Sequence, residues 1–95
     1  MPYKLVLTAN AQKDIQQAIN WEDKRKEGLG KLFFEDLESR FRDVALFPLA
    51  ATVRYDNVRC SATHTFQYLI HYVVDTDRSR VVIFRVLHTS RRPGG

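Results

Sequence analysis

The sequence predicts an α+β fold in the order β-αα-βββ, with a helical hairpin packed on one face of a small, mainly antiparallel, curved sheet. Three observations carry this expectation. Two stretches with apolar residues at helical spacing flank the connector Gly28-Leu29-Gly30. A clean alternation runs from Phe66 to Asp75, the pattern of a strand with one buried face. The stretch Arg80 to His88 is apolar on both faces through most of its length, which places it centrally in a sheet. A chain of 95 residues suffices for one domain and not for two, so 1–95 is read as a single domain.

The elements follow in order. Tyr3-Lys4-Leu5-Val6-Leu7 alternates and reads as a short strand. Thr8 is suited to cap a helix that starts near Ala9. Ala11, Ile15, Ala18, Ile19 and Glu22 then recur at helical spacing, with Lys13, Gln16, Gln17 and Asn20 on the polar side. The helix ends in the charged run Glu22 to Glu27, before Gly28. The two glycines supply the backbone freedom for a tight reversal. A phosphate-loop reading of Gly28-Leu29-Gly30 fails, because no strand leads into it and no third glycine or Lys-Ser/Thr follows. From about Lys31 to Leu46, Leu29, Phe33, Leu37, Phe41 and Val44 form an apolar stripe, which Leu32, Phe34, Ala45 and Phe47 are expected to widen. Pro48 stops this helix by disfavouring helical backbone at Phe47. Val58 to Ala62 is the next strand, with Val53-Arg54-Tyr55 as a lead-in around an Asp56-Asn57 turn. In the Phe66–Asp75 strand, Phe66, Tyr68, Ile70, Tyr72 and Val74 share the core parity, and Asp75 to Ser79 is a polar loop.

Composition bounds the function. The formal net charge is +4, and its excess lies wholly in the second half: up to Phe47 eight basic residues balance eight acidic ones, whereas from Pro48 onward seven arginines face three aspartates. Arginine offers a planar fork matched to phosphate or carboxylate, so a nucleic acid or an acidic partner is the ligand class this charge suits. Cys60 is the only cysteine, so no intrachain disulfide is expected, in keeping with a reducing cytoplasm. No basic segment followed by a long apolar stretch opens the chain, so no signal peptide is expected. No apolar run approaches the roughly 20 residues needed to span a bilayer. Three histidines and one cysteine show no metal-ligand spacing, so neither metal nor cofactor is expected.

Four stretches together resemble the RelE/ParE superfamily of bacterial toxins from type II toxin-antitoxin systems, its ParE-like branch above all. They are the first strand followed by Thr8-Ala9-Asn10-Ala11-Gln12-Lys13-Asp14-Ile15; Gly28-Leu29-Gly30-Lys31-Leu32-Phe33; Val58-Arg59 leading to Phe66-Gln67-Tyr68-Leu69-Ile70-His71-Tyr72; and Val86-Leu87-His88 followed by Arg91-Arg92-Pro93. The resemblance spans nearly the whole chain. It implies a growth-inhibiting cytoplasmic toxin, neutralised by a cognate antitoxin. The cellular target it implies is DNA gyrase for the ParE-like branch, or messenger RNA on the ribosome for a RelE-like endonuclease. Fold alone does not choose between them.

Cleaving RNA without a metal needs a base, an acid and a cation at one place. The resemblance nominates Arg59 and His88 as catalytic candidates, and Arg59, Arg85, His88, Arg91 and Arg92 as the target- or antitoxin-binding set. Some nucleases of the superfamily carry a tyrosine just after that histidine, whereas this chain has Thr89 and Ser90. No carboxylate stands at the family's base position, and Asp56 and Glu38 remain only by elimination. Tyr68 and Tyr72 share the core parity, which leaves Tyr55 as the phenol outside it. These departures favour a toxin that acts by binding.

Overall fold

The computed structural model describes residues 2–90, and Arg91, Arg92 and Pro93 lie outside that range. Seven elements follow in order: β1 (Lys4–Leu7), α1 (Ala9–Arg25), α2 (Leu29–Leu46), β2 (Val53–Tyr55), β3 (Val58–Ala62), β4 (Tyr68–Asp75) and β5 (Arg80–His88). The sheet order is β1-β5-β4-β3-β2. β1 runs parallel to β5, with Lys4 opposite Arg80 and Leu7 opposite Ile83, and the other pairings are antiparallel. The expected α+β architecture is therefore the observed one. The stretch read as a lead-in, Val53–Tyr55, is an edge strand in its own right, because the turn at Asp56 (φ 49°) folds it back onto β3.

Local chemistry accounts for the helices. Thr8 caps α1, its hydroxyl accepting from the Ala11 N–H at 3.1 Å. The two glycines of the connector do different jobs. Gly28 has a φ of 91°, a left-handed conformation that a side chain would strain. Gly30 lies against α1 so closely that a Cβ would stand 2.8 Å from Asp23 Oδ1 and from the Ile19 carbonyl. Its N–H donates to Asp23 Oδ1 at 2.8 Å, which locks the hairpin. α2 ends at Leu46, as Pro48 requires.

The core lies between the hairpin and one face of the sheet. Ala11, Ile15 and Ala18 from α1 and Phe33, Leu37 and Val44 from α2 meet Tyr68, Ile70 and Tyr72 of β4 and Val81, Ile83 and Val86 of β5. Burying each large apolar side chain contributes about 1.5–3 kcal/mol relative to exposure. The step from Ile83 to Val86 is three residues instead of two. A bulge causes it: His71 faces Arg85 and Tyr72 faces Ile83, leaving Phe84 as the extra residue. One sequence expectation needs correcting. Leu32, Phe34 and Phe47 do not widen the α2 stripe inward; they are 53, 39 and 67% exposed. A helix can bury only the arc facing the sheet, and Phe33, Leu37 and Val44 fill it. Among the described residues no helix is long and apolar enough to cross a membrane.

Candidate functional site

Two regions, on opposite faces of the sheet, gather chemically capable side chains. Each centres on a histidine.

The first is a cleft of about 570 Å³ at the end of β5, lined chiefly by Trp21, Glu22, Arg25, Phe66, Gln67 and His88. Glu22 occupies an apolar register position of α1, following Ala11, Ile15 and Ala18, and is 1% exposed. A buried carboxylate requires partners. Among the described residues, Tyr68 Oη donates to Glu22 Oε2 at 2.8 Å, and Arg25 NH1 donates to Oε1 at 2.7 Å. Tyr68 stands opposite His88 in the β4–β5 register, and the His88 ring meets it edge-on with centroids 5.0 Å apart. The Ser90 N–H donates to His88 Nδ1 at 3.1 Å, so the neutral ring carries its proton on Nε2.

One wall of this cleft is the loop between β3 and β4, pinned by Asp36 of α2. The Asp36 carboxylate accepts from three successive backbone N–H groups, His64 at 2.9 Å, Thr65 at 2.8 Å and Phe66 at 2.9 Å. Burial opposes its ionisation, but these three donors and the nearby His64 outweigh burial and hold its carboxyl below the usual range.

The second region is the sheet face turned away from the helices. Here Tyr55 Oη lies 3.0 Å and Cys60 Sγ 3.4 Å from His71 Nδ1. Phe84 and Arg85 adjoin across the bulge. Burial, and then the Arg85 and Arg54 guanidinium groups, push the His71 pKa below its ordinary value, with Asp14 opposing weakly. Imidazole is thus neutral here at pH 7. Burial raises the Cys60 thiol, with Arg54 opposing, so the group is a thiol and a poor nucleophile. Burial likewise raises the Tyr55 phenol, helped by Cys60 and Asp56.

Of the residues nominated from sequence, Arg59, Arg85 and His88 are described, and they stand in separate places. Arg85 forms a two-pronged pair with Asp14 of α1, Nε to Oδ2 at 2.7 Å and NH2 to Oδ1 at 3.2 Å. Asp14 Oδ2 also accepts the Val86 N–H at 2.9 Å, continuing the hydrogen bonding of β5 where β1 has ended. Arg59 faces Tyr72, on the helix side of the sheet, and donates to the carbonyls of Ala51 and, at 3.4 Å, Leu49. His88 faces Tyr68 from the other flank of β4. Tyr68 and Tyr72 are four residues apart, about 13 Å along the strand, so Arg59 and His88 belong to separate places. Arg91 and Arg92 lie outside the described residues.

Sequence reasoning missed the carboxylates that organise both regions, Asp14, Glu22 and Asp36. Only Glu22 left a signal, as an acid at an apolar helical position. Among the described residues no group of three or more His, Cys, Asp or Glu side chains is placed to hold a metal ion.

Comparison with known proteins gives this geometry a context. A family model described as the ParE toxin of the type II toxin-antitoxin system, parDE, matches residues 5–93. The fold is similar to that of the chromosomal ParDE system from P. aeruginosa, with a TM-score of 0.78 at 12% identity over 90% of this chain and 95% of that one. It is also similar to the intact E. coli RelBE complex (TM-score 0.71, 20% identity, 94% and 99% covered). A third likeness is to the RelBE2 complex from Mycobacterium tuberculosis (TM-score 0.65, 22% identity, 93% and 99% covered). At such identities these structures speak to the fold alone. A search of curated protein sequences gave no significant match.

Proposed function

The chain belongs to the ParE toxin family of type II toxin-antitoxin systems, and on that premise we propose that it halts growth by binding a cellular protein, without cleaving nucleic acid itself. DNA gyrase is the target the family relation nominates. A cognate antitoxin neutralises it by covering its surface; the solved structures of similar fold include two RelBE toxin-antitoxin complexes.

The observation that supports this reading is how the arginines are used. Metal-free RNA cleavage needs base, acid and cation converging on one phosphate. Arg85 is committed to Asp14 and Arg59 to two backbone carbonyls, one flank of β4 away from His88. His71 is neutral and Cys60 protonated at pH 7, so the open face offers a contact surface of aromatic and cationic groups.

A supercoiling assay with purified toxin tests the proposal. Inhibition by the wild-type chain that persists in His88→Ala is the expected outcome. Unchanged gyrase activity at excess toxin, together with new cuts in translated messages that vanish in Arg59→Ala and His88→Ala, would replace it with a ribosome-dependent mRNA endonuclease.

A further inference from the structure

Glu22 is out of place in a core. Its register position on α1 suits an apolar residue, as Ala11, Ile15 and Ala18 before it show, and it is 1% exposed. Replacing a buried ion pair by well-packed apolar side chains is often neutral or stabilising, so stability alone gives no reason for a carboxylate here. What sets the position apart is the opening beside it. Glu22 lines the cleft at the end of β5, whose walls include the indole of Trp21, 45% exposed, and the ring of Phe66.

The concavity continues beyond this cleft. Leu29, Thr65 and Phe66 also border a second hollow of about 540 Å³, which reaches Leu32, Glu35 and Asp36. Among the described residues the two hollows carry three carboxylates, Glu22, Glu35 and Asp36, against one guanidinium, Arg25. The local sign is thus opposite to the net charge of +4 on the whole chain. A concavity with aromatic walls and a few convergent polar groups is the ordinary form of a binding site, and this one suits a cation. The aromatic walls favour a planar, weakly hydrated guanidinium over a compact ammonium. Arg25 already shows the fit, its NH1 meeting Glu22 Oε1 at 2.7 Å. The Arg25 side chain is 57% exposed and ends α1, so water can take it up when another guanidinium arrives.

From this arrangement we infer that the cleft receives an arginine side chain of the protein the toxin inhibits. The incoming guanidinium takes the place of Arg25 on the Glu22 carboxylate, and its stem lies along Trp21 and Phe66. The inference rests on the proposal that the target is a protein.

N-acetylarginine amide is the first probe, and Trp21, the only tryptophan of the chain, reports its binding by fluorescence. Saturation in the millimolar range is the expected result for so small a ligand, with N-acetyllysine amide weaker by about fivefold or more. Glu22→Gln weakens arginine amide binding about tenfold or more, whereas Arg25→Gln, which keeps the carboxylate and removes its competitor, tightens it about threefold. In the supercoiling assay Glu22→Gln raises the toxin concentration needed for inhibition about tenfold. Arg25 is exposed, so Arg25→Gln melts like the wild type, and its failure to tighten binding overturns the inference even where Glu22→Gln is unstable. Amide binding that is absent, or equal in the wild type and Glu22→Gln, overturns it too, while wild-type inhibition leaves the proposed function standing. A wild-type chain that inhibits no target overturns both. Arg91 and Arg92 follow Ser90 in the sequence. Amide binding that appears only when both are replaced by Ser assigns the cleft to the chain's own arginines, and self-association that Glu22→Gln abolishes assigns it to a second copy; either result overturns the inference.

Discussion

His71 and His88 sit on adjacent strands yet in opposite electrostatic worlds. His71 lies on the open face, where burial, and after it Arg85 and Arg54, lower its pKa. His88 lines a cleft floored by a buried carboxylate, with Tyr68 between the imidazole and Glu22. In both regions an arginine of the neighbourhood is already paired, Arg85 with Asp14 and Arg25 with Glu22. The difference lies in what the ion pair supports. Asp14–Arg85 completes a strand edge, whereas Glu22–Arg25 stabilises a charge beneath the cleft. A surplus of arginine along a sequence is therefore no guide to a ligand site until each partner is known. Here Arg40, bonded to the Ala62 carbonyl at 2.6 Å and paired with Asp43 at 3.3 Å, is one more strut.

Mutation breaks this comparison most sharply at Asp14. Its side chain is 9% exposed, and Asp14→Ala strands both the Arg85 guanidinium and the Val86 N–H. The loss is about 2–3 kcal/mol in urea unfolding, the lower end for a broken buried pair because Arg85 keeps some solvent. An unchanged midpoint would make the pair an accessory of the sheet. In the cleft, Tyr68→Phe removes a donor to a buried carboxylate, at a cost of about 2 kcal/mol. The matching change on the open face, Tyr55→Phe, costs less than about 0.5 kcal/mol, because Tyr55 is 46% exposed and water replaces the bond. Equal losses in these two variants would erase the distinction between a buried and an exposed phenol.

Acid gives the smallest effect and the finest probe. His71 titrates below its ordinary 6.5 in the folded chain, so the unfolded chain binds the proton first. Stability is then full above pH 6.5 and declines as pH falls from there toward the lowered folded value. His71→Asn flattens that decline in urea titrations from pH 7 to 5. Asp36 acts lower on the scale. Its carboxyl titrates below 3.8 when folded, so its contribution is full above that value and disappears as pH drops through the folded one.

Much of the framework could be read from residues in order. Thr8 as a cap, Gly28 at a reversal, Pro48 as a stop and the Tyr68–Ile70–Tyr72 alternation are local signals, each set by steric or hydrogen-bonding rules spanning a few residues. The exposure of Leu32, Phe34 and Phe47 escaped that reading, because apolar spacing does not say how wide an arc the sheet can cover. The bulge at Phe84 escaped it too, since two apolar faces conceal an inserted residue.

What the sequence determined by itself was the order of the elements, the single core and a cationic second half, all properties of short-range pattern and composition. Only the tertiary structure decided where that charge went. Asp14 lies 71 residues from Arg85 and Glu22 lies 46 from Tyr68, so these pairings exist only once the sheet has closed. A guanidinium drawn out of water takes the nearest acceptor that folding brings to it, and that choice separates a structural strut from a binding group.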